Sequence, residues 1–353
     1  MSSQGCLFFA EIKRGYVIKT LTDVLAGSFN RVTFSVTEDG IFLRECDKDK
    51  SILFDVKLYR EKFMKFKCDV PLVFSINVKH VQRLIRSLKK KDSLILRIAH
   101  GAKNAPADTL GITIRPTSTN KSEGVRIETS NVKFQIEECR PTIGIPKAKF
   151  YRYPYVIDAA DFQKVKRIAA LDKKIKIAIQ GDNYLSFSCD RDCYATGLIF
   201  GEPRAVPASV DADAEESAAE ESDVDSDSSQ EEPAPFGSSR EDFNEAARAE
   251  DSDGGSSSDD DSDDDGKGGD GRYHGDGGYY EQTFHSSLFN HLVKLPGLCS
   301  QMQFYEPTDG YPLRIKMEAG RLGDVEVYIK DIRLLVQDQI QMAAQPQVEK
   351  FRE

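Results

Sequence analysis

The sequence lacks the features of disulfide-rich, membrane-spanning and secreted proteins. Its seven cysteines form an odd, scattered set without a CxxC pair, so they predict no disulfide framework. No stretch reaches the roughly 20 consecutive apolar residues of a membrane span. The N-terminus soon meets Lys13 and Arg14, without an apolar run or a small-residue cleavage site. We therefore expect a protein of a reducing compartment, the cytosol or the nucleus, with no membrane partner.

Motifs of catalysis and metal binding are also missing from the sequence. There is no GxxxxGK[ST], GxSxG or HExxH, and the five histidines show no coherent ligand spacing. Cys189 and Cys193 have no second pair of ligands at matching spacing. We therefore expect no enzymatic activity, no catalytic residues, no metal and no cofactor.

The net charge of −10 is unevenly distributed along the chain. Residues 203–276 carry about 25 acidic against about 5 basic residues, a local balance of about −20, which leaves the remainder at about +10. The wider segment of residues 203–278 is of low complexity and has almost no large apolar residue, so it cannot bury enough surface to fold. It is predicted to be a disordered acidic insertion in a basic folded protein.

The flanking sequence contains a fourfold internal repeat of one helix followed by antiparallel strands. The periodicity predicts helices at residues 16–26, 78–90, 159–171 and 282–295. Three of the four following hairpins contain an Asp-Gly or Gly-Asp pair, which tolerates the positive φ of a tight turn. These pairs are Asp39-Gly40, Gly181-Asp182 and Asp309-Gly310.

One helix on a small sheet buries too little apolar surface to be stable alone, so the four units should pair into two similar domains of an α+β fold. We assign residues 1–138 to the N-terminal domain and 153–336 to the C-terminal domain, which the 203–278 insertion interrupts. Residues 139–152 contain two prolines and a glycine in a short stretch and are predicted to be an extended connecting loop. Residues 337–353 are assigned to a C-terminal tail.

The second predicted helix has basic residues of one sign along one face. Lys79, Arg83, Arg86 and Lys90 recur at spacings of four, three and four, and no acid occurs between residues 73 and 91. A solvated charged face is the plain alternative, but such faces ordinarily mix Glu with Lys. Further basic residues on the other three predicted helices are Lys19, Lys164, Lys166, Arg167 and Lys294. Because aromatic stacking platforms are missing, this pattern favours non-specific contact with the phosphates of duplex DNA.

Four short motifs add a resemblance to a known family. They are Ile143-Gly144-Ile145-Pro146 in the connecting loop, Tyr311-Pro312-Leu313, Val327-Tyr328-Ile329, and Asn77 at the start of the second helix. Together with the repeats and the basic helices, they resemble the proliferating cell nuclear antigen family of DNA sliding clamps. The resemblance covers both flanks of the acidic insertion.

The resemblance implies a homotrimeric ring with the DNA-clamp fold: two similar domains per subunit, each with two helices packed on antiparallel sheets. Such a ring encircles double-stranded DNA, acts as a polymerase processivity factor, and recruits DNA polymerase, a clamp loader and other replication and repair proteins. The resemblance also implies that the central hole of the ring is lined by Lys19, Arg83, Arg86, Lys164, Arg167 and Lys294. The expected location is the nucleus, or the site of viral DNA replication for a chain encoded by a large DNA virus.

Partner proteins of such clamps insert a short peptide beneath the connecting loop. The matching pocket positions are Cys46, Leu53, Ile143, Gly144, Ile145, Pro312, Tyr328 and Ile329. The sequence departs from the family at Cys46, where a methionine is usual, and at Lys330-Asp331, where a small residue and a proline are usual. Partner preference is therefore expected to differ.

The resemblance also places the edge strands that close the ring near residues 131–136 and 194–200, so the insertion should emerge on the rim. Two alternatives remain open at this point. One is a subunit of a heterotrimeric checkpoint clamp, and the other is an acidic scaffold that binds histones or other basic proteins.

Overall fold

The computed structural model describes residues 5–100, 108–116, 127–137, 143–191, 193–203 and 279–344. The predicted acidic insertion lies outside these residues from residue 204 onward, as do residues 139–142 of the predicted connecting loop and 345–353 of the predicted tail.

The first half of the chain is mostly antiparallel strands. Its elements are β1 (Cys6–Ile12), α1 (Tyr16–Ser28), β2 (Arg31–Thr37), β3 (Gly40–Cys46), β4 (Ile52–Tyr59), β5 (Lys65–Cys68), β6 (Leu72–Asn77), α2 (Val78–Leu84), β7 (Ser93–Ala99), β8 (Thr109–Arg115), β9 (Glu128–Lys133) and β10 (Gln135–Ile136). A short 3-10 turn, Arg60–Lys62, follows β4.

The second half repeats this composition. Its elements are β11 (Tyr151–Asp158), α3 (Ala159–Phe162), α4 (Val165–Ala169), β12 (Lys174–Gln180), β13 (Tyr184–Arg191), β14 (Tyr194–Gly201), β15 (Tyr280–His285), α5 (Ser286–Leu292), β16 (Gln301–Pro307), β17 (Leu313–Glu318), β18 (Gly323–Ile329) and α6 (Ile332–Ala344). Further 3-10 turns lie at Ala148–Phe150 and Leu295–Gly297.

The described strands form three sheets. Their orders are β5-β1-β7-β8-β9, β10-β6-β2-β3-β4-β18-β17-β16-β11 and β14-β13-β12-β15. The nine-stranded sheet joins the two halves of the chain, because β4 pairs antiparallel with β18 from Gly323↔Leu58 to Ile329↔Ile52.

Alternation along the strands decides which face of the nine-stranded sheet is apolar. In β18, Val325, Val327 and Ile329 are completely buried and belong to one hydrophobic core with Val24 of α1 and Leu292 of α5. The intervening side chains of β18 lie on the opposite face of the sheet. Helices α1 and α5 therefore pack on this apolar face of the sheet.

The glycines of the predicted hairpins adopt the left-handed backbone that a tight turn needs. Gly181 has φ +54° in the β12–β13 turn, and Gly310 has φ +84° between β16 and β17. Gly40 has φ +152°, and a Cβ there would lie 2.1 Å from the carbonyl oxygen of Leu58. These turns are confirmed, because residues with a side chain adopt such backbone only with strain.

The structure corrects the predicted fourth helix, residues 282–295. Residues up to His285 belong to β15, which pairs with β12 from Lys174↔His285 to Ile179↔Tyr280. Phe284 is completely buried and its neighbours are more exposed, so the segment follows a period of two and not 3.6. Helix α5 begins only at Ser286.

Three further boundaries differ from the predicted ones. The second helix ends at Leu84 and not at residue 90. The third predicted helix is two short helices, α3 and α4, separated by a turn in which the backbone N–H of Lys164 donates to the carbonyl of Asp161 at 3.0 Å. The boundary predicted between the C-terminal domain and the tail, at residues 336 and 337, falls inside α6.

Candidate nucleic-acid interface and peptide pocket

The helices that carry the basic residues lie side by side in one layer. Helix α1 contacts α2 and also α5, and α5 contacts α4. One side-chain bond joins the first two helices, since Gln82 Nε2 donates to Asp23 Oδ1 at 2.8 Å. The layer brings together basic residues that are far apart in the sequence.

Helix α2 begins where the sequence predicted it. The Asn77 side chain accepts a hydrogen bond from the backbone N–H of His80 at 3.1 Å and so caps the helix. Val78 is buried, while Lys79 and Arg83 are exposed one turn apart. Within the described part of the chain, neither basic side chain forms an ion pair, so both are available to an external anion.

Arg86 and Lys90 follow the end of α2 and lie in turns. Both are exposed, whereas Ile85, just before Arg86, and Leu88, between the two, are each 1% exposed. The division between a basic outer side and an apolar inner side therefore continues beyond the helix.

Lys19 has a structural role that its position in the sequence did not reveal. Its Nζ donates to the carbonyl oxygen of Arg86 at 2.7 Å and to that of Leu88 at 3.0 Å. The side chain is half-buried, and the ammonium lies 5.6 Å from the ring centre of Tyr16. Two of its three donors hold the turn after α2, which leaves one N–H for a phosphate.

The second half of the chain presents Lys164, Arg167 and Lys294 on its helical side, all exposed. Lys164 Nζ pairs with Asp161 Oδ1 at 2.6 Å, three residues earlier. Because exposed pairs contribute only about 0–1 kcal/mol, this pair does not prevent Lys164 from exchanging its partner for a phosphate.

A cavity of about 480 Å³ lies between the end of α4 and the start of α5. The sequence did not predict a site at this position. Lys173, Arg191, His285 and Asn290 are among its lining residues. Arg191 donates to Asp172 Oδ1 at 2.5 Å, and this bond holds the pKa of the Asp172 carboxyl well below its usual range. Arg191 has acidic neighbours in the sequence, so charge patterning gave no signal for it.

The peptide-pocket residues of the strands form a row across the outer face of the nine-stranded sheet. Cys46 of β3 lies opposite Leu53 of β4, and Leu53 lies opposite Tyr328 of β18. Cys46 and Leu53 are half-buried, whereas Tyr328 is 4% exposed and forms the floor of the row. We call these three residues the apolar row.

The structure places Ile329 elsewhere than the predicted pocket. Ile329 is completely buried and pairs with Ile52, which is 2% exposed, on the helix-covered face. Adjacent residues of a strand point to opposite faces, so Ile329 cannot share a surface with Tyr328. It is a core residue.

The connecting loop and the segment before β17 flank the apolar row. Ile143 and Gly144 are exposed, and Ile145 and Pro312 are half-buried. The hydroxyl of Tyr151 donates to the carbonyl oxygen of Pro312 at 3.0 Å, which fixes that segment. Tyr151 was not among the predicted site residues.

Polar groups beside the apolar row, on the same face of the sheet, are tightly paired. The Tyr328 hydroxyl donates to Glu326 Oε2 at 2.6 Å, and Arg314 Nη2 donates to Glu326 Oε1 at 3.0 Å. Burial acts to raise the pKa of Glu326, but the bonds from Arg314 and Tyr328 outweigh it, so the pKa is lowered. Glu326 is therefore ionised at neutral pH, and its bond to Tyr328 fixes the pocket floor.

The thiol that stands where the family usually has a methionine is uncharged at neutral pH. Burial, with a smaller contribution from Asp47, raises the pKa of Cys46 to about 11. Cys46 therefore contributes a small apolar group to the apolar row. The six cysteines in the described residues are free thiols.

Two of the edge strands of the described sheets lie where the resemblance places the ring contacts. Strand β9 ends the five-stranded sheet, and β14 ends the four-stranded sheet. Along β14 the side chains alternate between exposed and half-buried, with Ile199 65% exposed. Each of these strands offers one unpaired backbone edge within the described residues.

The described residues include neither a membrane-spanning helix nor a cluster of metal ligands. No helix among them is long and apolar enough to cross a membrane. No group of three or more His, Cys, Asp or Glu residues among them is arranged to hold a metal ion.

Comparison with known proteins gives one family and several relatives. Residues 7–137 match the family model of proliferating cell nuclear antigen, N-terminal domain. The chain is 29% identical over 118 residues to the DNA polymerase sliding clamp of Pyrococcus furiosus, which covers 33% of this chain and 45% of that protein. It is 32% identical over 82 residues to the DNA polymerase sliding clamp of Thermococcus gammatolerans, covering 22% and 33%.

A longer match is to the probable DNA polymerase sliding clamp 1 of Paramecium bursaria Chlorella virus 1, 27% identical over 198 residues. It covers 55% of this chain and 70% of the viral protein. The two archaeal matches span less than half of the relatives' own length. The three antiparallel sheets and the single layer of helices agree with the family match. Residues 7–137 are therefore similar to the N-terminal domain of the proliferating cell nuclear antigen family, and the α+β architecture of the described residues is consistent with the DNA-clamp fold.

Proposed function

We propose that the chain is a subunit of a DNA sliding clamp, a homotrimeric ring that encircles duplex DNA and holds a polymerase on it. In this role the protein catalyses no reaction. The observation that carries the proposal is the layer of helices on one side of the sheets, from which Lys79, Arg83, Arg167 and Lys294 are exposed. Positive side chains spread over several helices suit a phosphate backbone and select no sequence.

Closure of the ring is proposed to use β9 of one copy and β14 of the next. An unpaired edge strand is a template for pairing with another chain, and these two edges belong to different sheets of the same chain. A contact between two different surfaces of one protein closes into a ring when the rotation from one copy to the next is a whole-number fraction of a full turn. The number of three copies comes from the family resemblance.

The apolar row and the connecting loop are proposed to bind short peptides of partner proteins. The expected partners are a DNA polymerase, a clamp loader and other replication and repair proteins. Because the row lies on the face of the sheet opposite the helices, bound peptides would not compete with DNA. We place the protein in the nucleus, or at the site of viral DNA replication if the source is a large DNA virus.

The acidic insertion is proposed to leave the ring at its rim. It begins after β14, whose last residue Gly201 pairs with Tyr184, and ends before β15, where Tyr280 pairs with Ile179. Both points lie at the end of the four-stranded sheet that carries the Gly181 turn, whereas α5 begins at the opposite end, after His285. The described residues on either side of the insertion therefore lie at the end of this sheet away from the start of α5, as the proposed rim position requires.

Encirclement can be tested without a clamp loader. The protein is first bound at low salt to linear duplex DNA with biotin at both ends, and streptavidin is then added to half of the sample. After dilution into high salt, a ring should remain on the blocked DNA and slide off the open DNA. Equal loss from both samples would rule out encirclement, because ionic contacts alone are insensitive to the DNA ends.

Solution mass separates the proposed clamp from the two rival functions. A homotrimer requires three copies of one chain. A heterotrimeric checkpoint clamp or an acidic scaffold does not require this, so a monomer at micromolar concentration would count against the proposal.

A further inference from the structure

One arginine joins the outer face of the sheet to the connecting loop. Arg44 lies on β3, two residues before Cys46 and on the same face of the sheet. Its Nε donates to Asp55 Oδ1 at 2.9 Å, and its Nη1 donates to the carbonyl oxygen of Ile143 at 3.1 Å. The guanidinium therefore bonds a strand with one nitrogen and the loop with another.

The carboxylate that orients Arg44 is fixed in the sheet. Asp55 lies directly opposite Arg44 on β4, and its side chain is 4% exposed. Its other oxygen lies 3.2 Å from Lys57 Nζ. A buried carboxylate needs a cationic partner, and a planar guanidinium that satisfies it can direct its remaining N–H groups in only a few directions. One of those directions leads to the connecting loop.

The first described residues of the loop, Ile143 and Gly144, have few features that would fix their position. Gly144 is exposed, and a Cβ there would meet no atom within 4 Å. Ile143 is 38% exposed, so burial of its side chain contributes little to holding the loop against the sheet. A bond to the Ile143 carbonyl restrains the backbone directly, whatever side chain occupies that position.

We propose that Arg44 is a positioning residue that holds the connecting loop over the apolar row, so that Ile143 and Ile145 are preorganised to receive an aliphatic or aromatic anchor of a partner peptide. This inference rests on the proposed function, because it assigns a role within the same pocket. A loop that is held in its binding position before the peptide arrives loses less conformational freedom on binding. Arg44 then raises affinity without touching the peptide.

The test compares Arg44→Lys and Arg44→Met with the matched control Lys57→Met. Arg44→Lys keeps a cation beside Asp55 but lacks the planar fork that serves two acceptors. Lys57→Met removes the other cation beside Asp55 and leaves the loop contact in place. Urea unfolding of each full-length variant shows whether the fold survives the loss of one partner of a buried carboxylate.

Two readouts are measured on each variant. The first is hydrogen exchange of the backbone amides of residues 143–145 and 147 in the unliganded protein, with the amides of β3 and β4 as internal reference. The second is the affinity for a short fluorescein-labelled peptide with Leu and Phe anchors on one face of a helical turn. We expect both Arg44 variants to exchange faster in the loop alone and to bind the peptide about tenfold more weakly, the equivalent of one hydrogen bond to a charged group.

The possible outcomes separate this inference from the proposed function. If the loop amides of the Arg44 variants exchange no faster than those of Lys57→Met, the role of Arg44 is overturned. It is also overturned if these amides exchange faster but the peptide affinity is unchanged. If the wild-type protein binds no peptide, the pocket assignment fails, while the exchange rates still decide whether Arg44 restrains the loop. If Arg44 only stabilised the sheet, its replacement would speed amide exchange in β3 and β4, and no effect would be confined to residues 143–147.

Discussion

The basic surface of the helix layer is most directly tested by replacing Arg83 and Arg86 together with alanine. Both side chains are exposed, and no acid in the described residues pairs with them, so their loss should leave the free energy of unfolding nearly unchanged. Each phosphate contact contributes roughly 0.9 to the slope of log affinity against log salt. Between about 50 and 200 mM salt, one contact therefore accounts for a change of about 3.5-fold, and two contacts account for about tenfold.

The measurement is fluorescence anisotropy of a labelled duplex at a series of salt concentrations. We expect the double variant to bind more weakly at low salt and to show a slope smaller by about 2 for each subunit in contact with the DNA. The matched control is Arg60→Ala with Lys62→Ala, which removes the same charge from exposed positions in the turn after β4. An unchanged slope in Arg83→Ala with Arg86→Ala, or an equal decrease in the control, would refute the assignment of these arginines to the DNA-facing surface.

Three further substitutions test the pocket and one buried carboxylate. Ile329→Ala should lower the free energy of unfolding in urea by about 2–4 kcal/mol, because it leaves a cavity in the core. Ile145→Ala should weaken peptide binding by about 1–3 kcal/mol but lower the free energy of unfolding by under about 1 kcal/mol. The reverse pattern would show that Ile145 is the core residue and Ile329 the pocket residue. Burial raises the pKa of Glu306 despite its bonds from Gly181 and Arg152. The folded state therefore holds this proton more tightly than the unfolded chain, and the contribution of Glu306 to stability should fall as pH rises through its folded pKa. Glu306→Gln should remove that part of the pH dependence in urea unfolding, and an unchanged pH profile would contradict the raised pKa.

The features predicted correctly from the sequence depend on neighbours in the chain. The turns at Gly40 and Gly181 follow from the backbone freedom of glycine, and the start of α2 follows from the cap at Asn77. The error at the end of the second helix comes from a contact between distant residues. Helix α2 ends early where the ammonium of Lys19 takes the carbonyls of Arg86 and Leu88. Such a bond joins residues 67 and 69 positions apart, so no local pattern announces it.

The candidate sites also contain some features that the local sequence predicts and others that it does not. Exposure of the basic residues on α2 followed from the periodicity of the apolar ones. The partner of Arg44 in the connecting loop is 99 positions away, and nothing in the local sequence indicates it. Ile329 was assigned to the pocket by its position in a motif, although alternation along β18 already places it on the opposite face from Tyr328. Applying the period of two to the motif would have avoided that error.

The two proposed binding surfaces lie on opposite faces of the nine-stranded sheet, so DNA and a partner peptide would not compete for one surface. Along β18, Val327 packs into the core beneath the helices, while the next residue, Tyr328, forms the floor of the apolar row. The two proposed binding surfaces are thus separated by the thickness of one sheet, and each residue of β18 serves one surface only. Because β18 also joins the two halves of the chain through β4, a change that breaks this pairing would damage both surfaces, whereas a change of one outward side chain would damage only the pocket. Selective loss of peptide binding in Tyr328→Phe, with DNA binding intact, is the result that this separation requires.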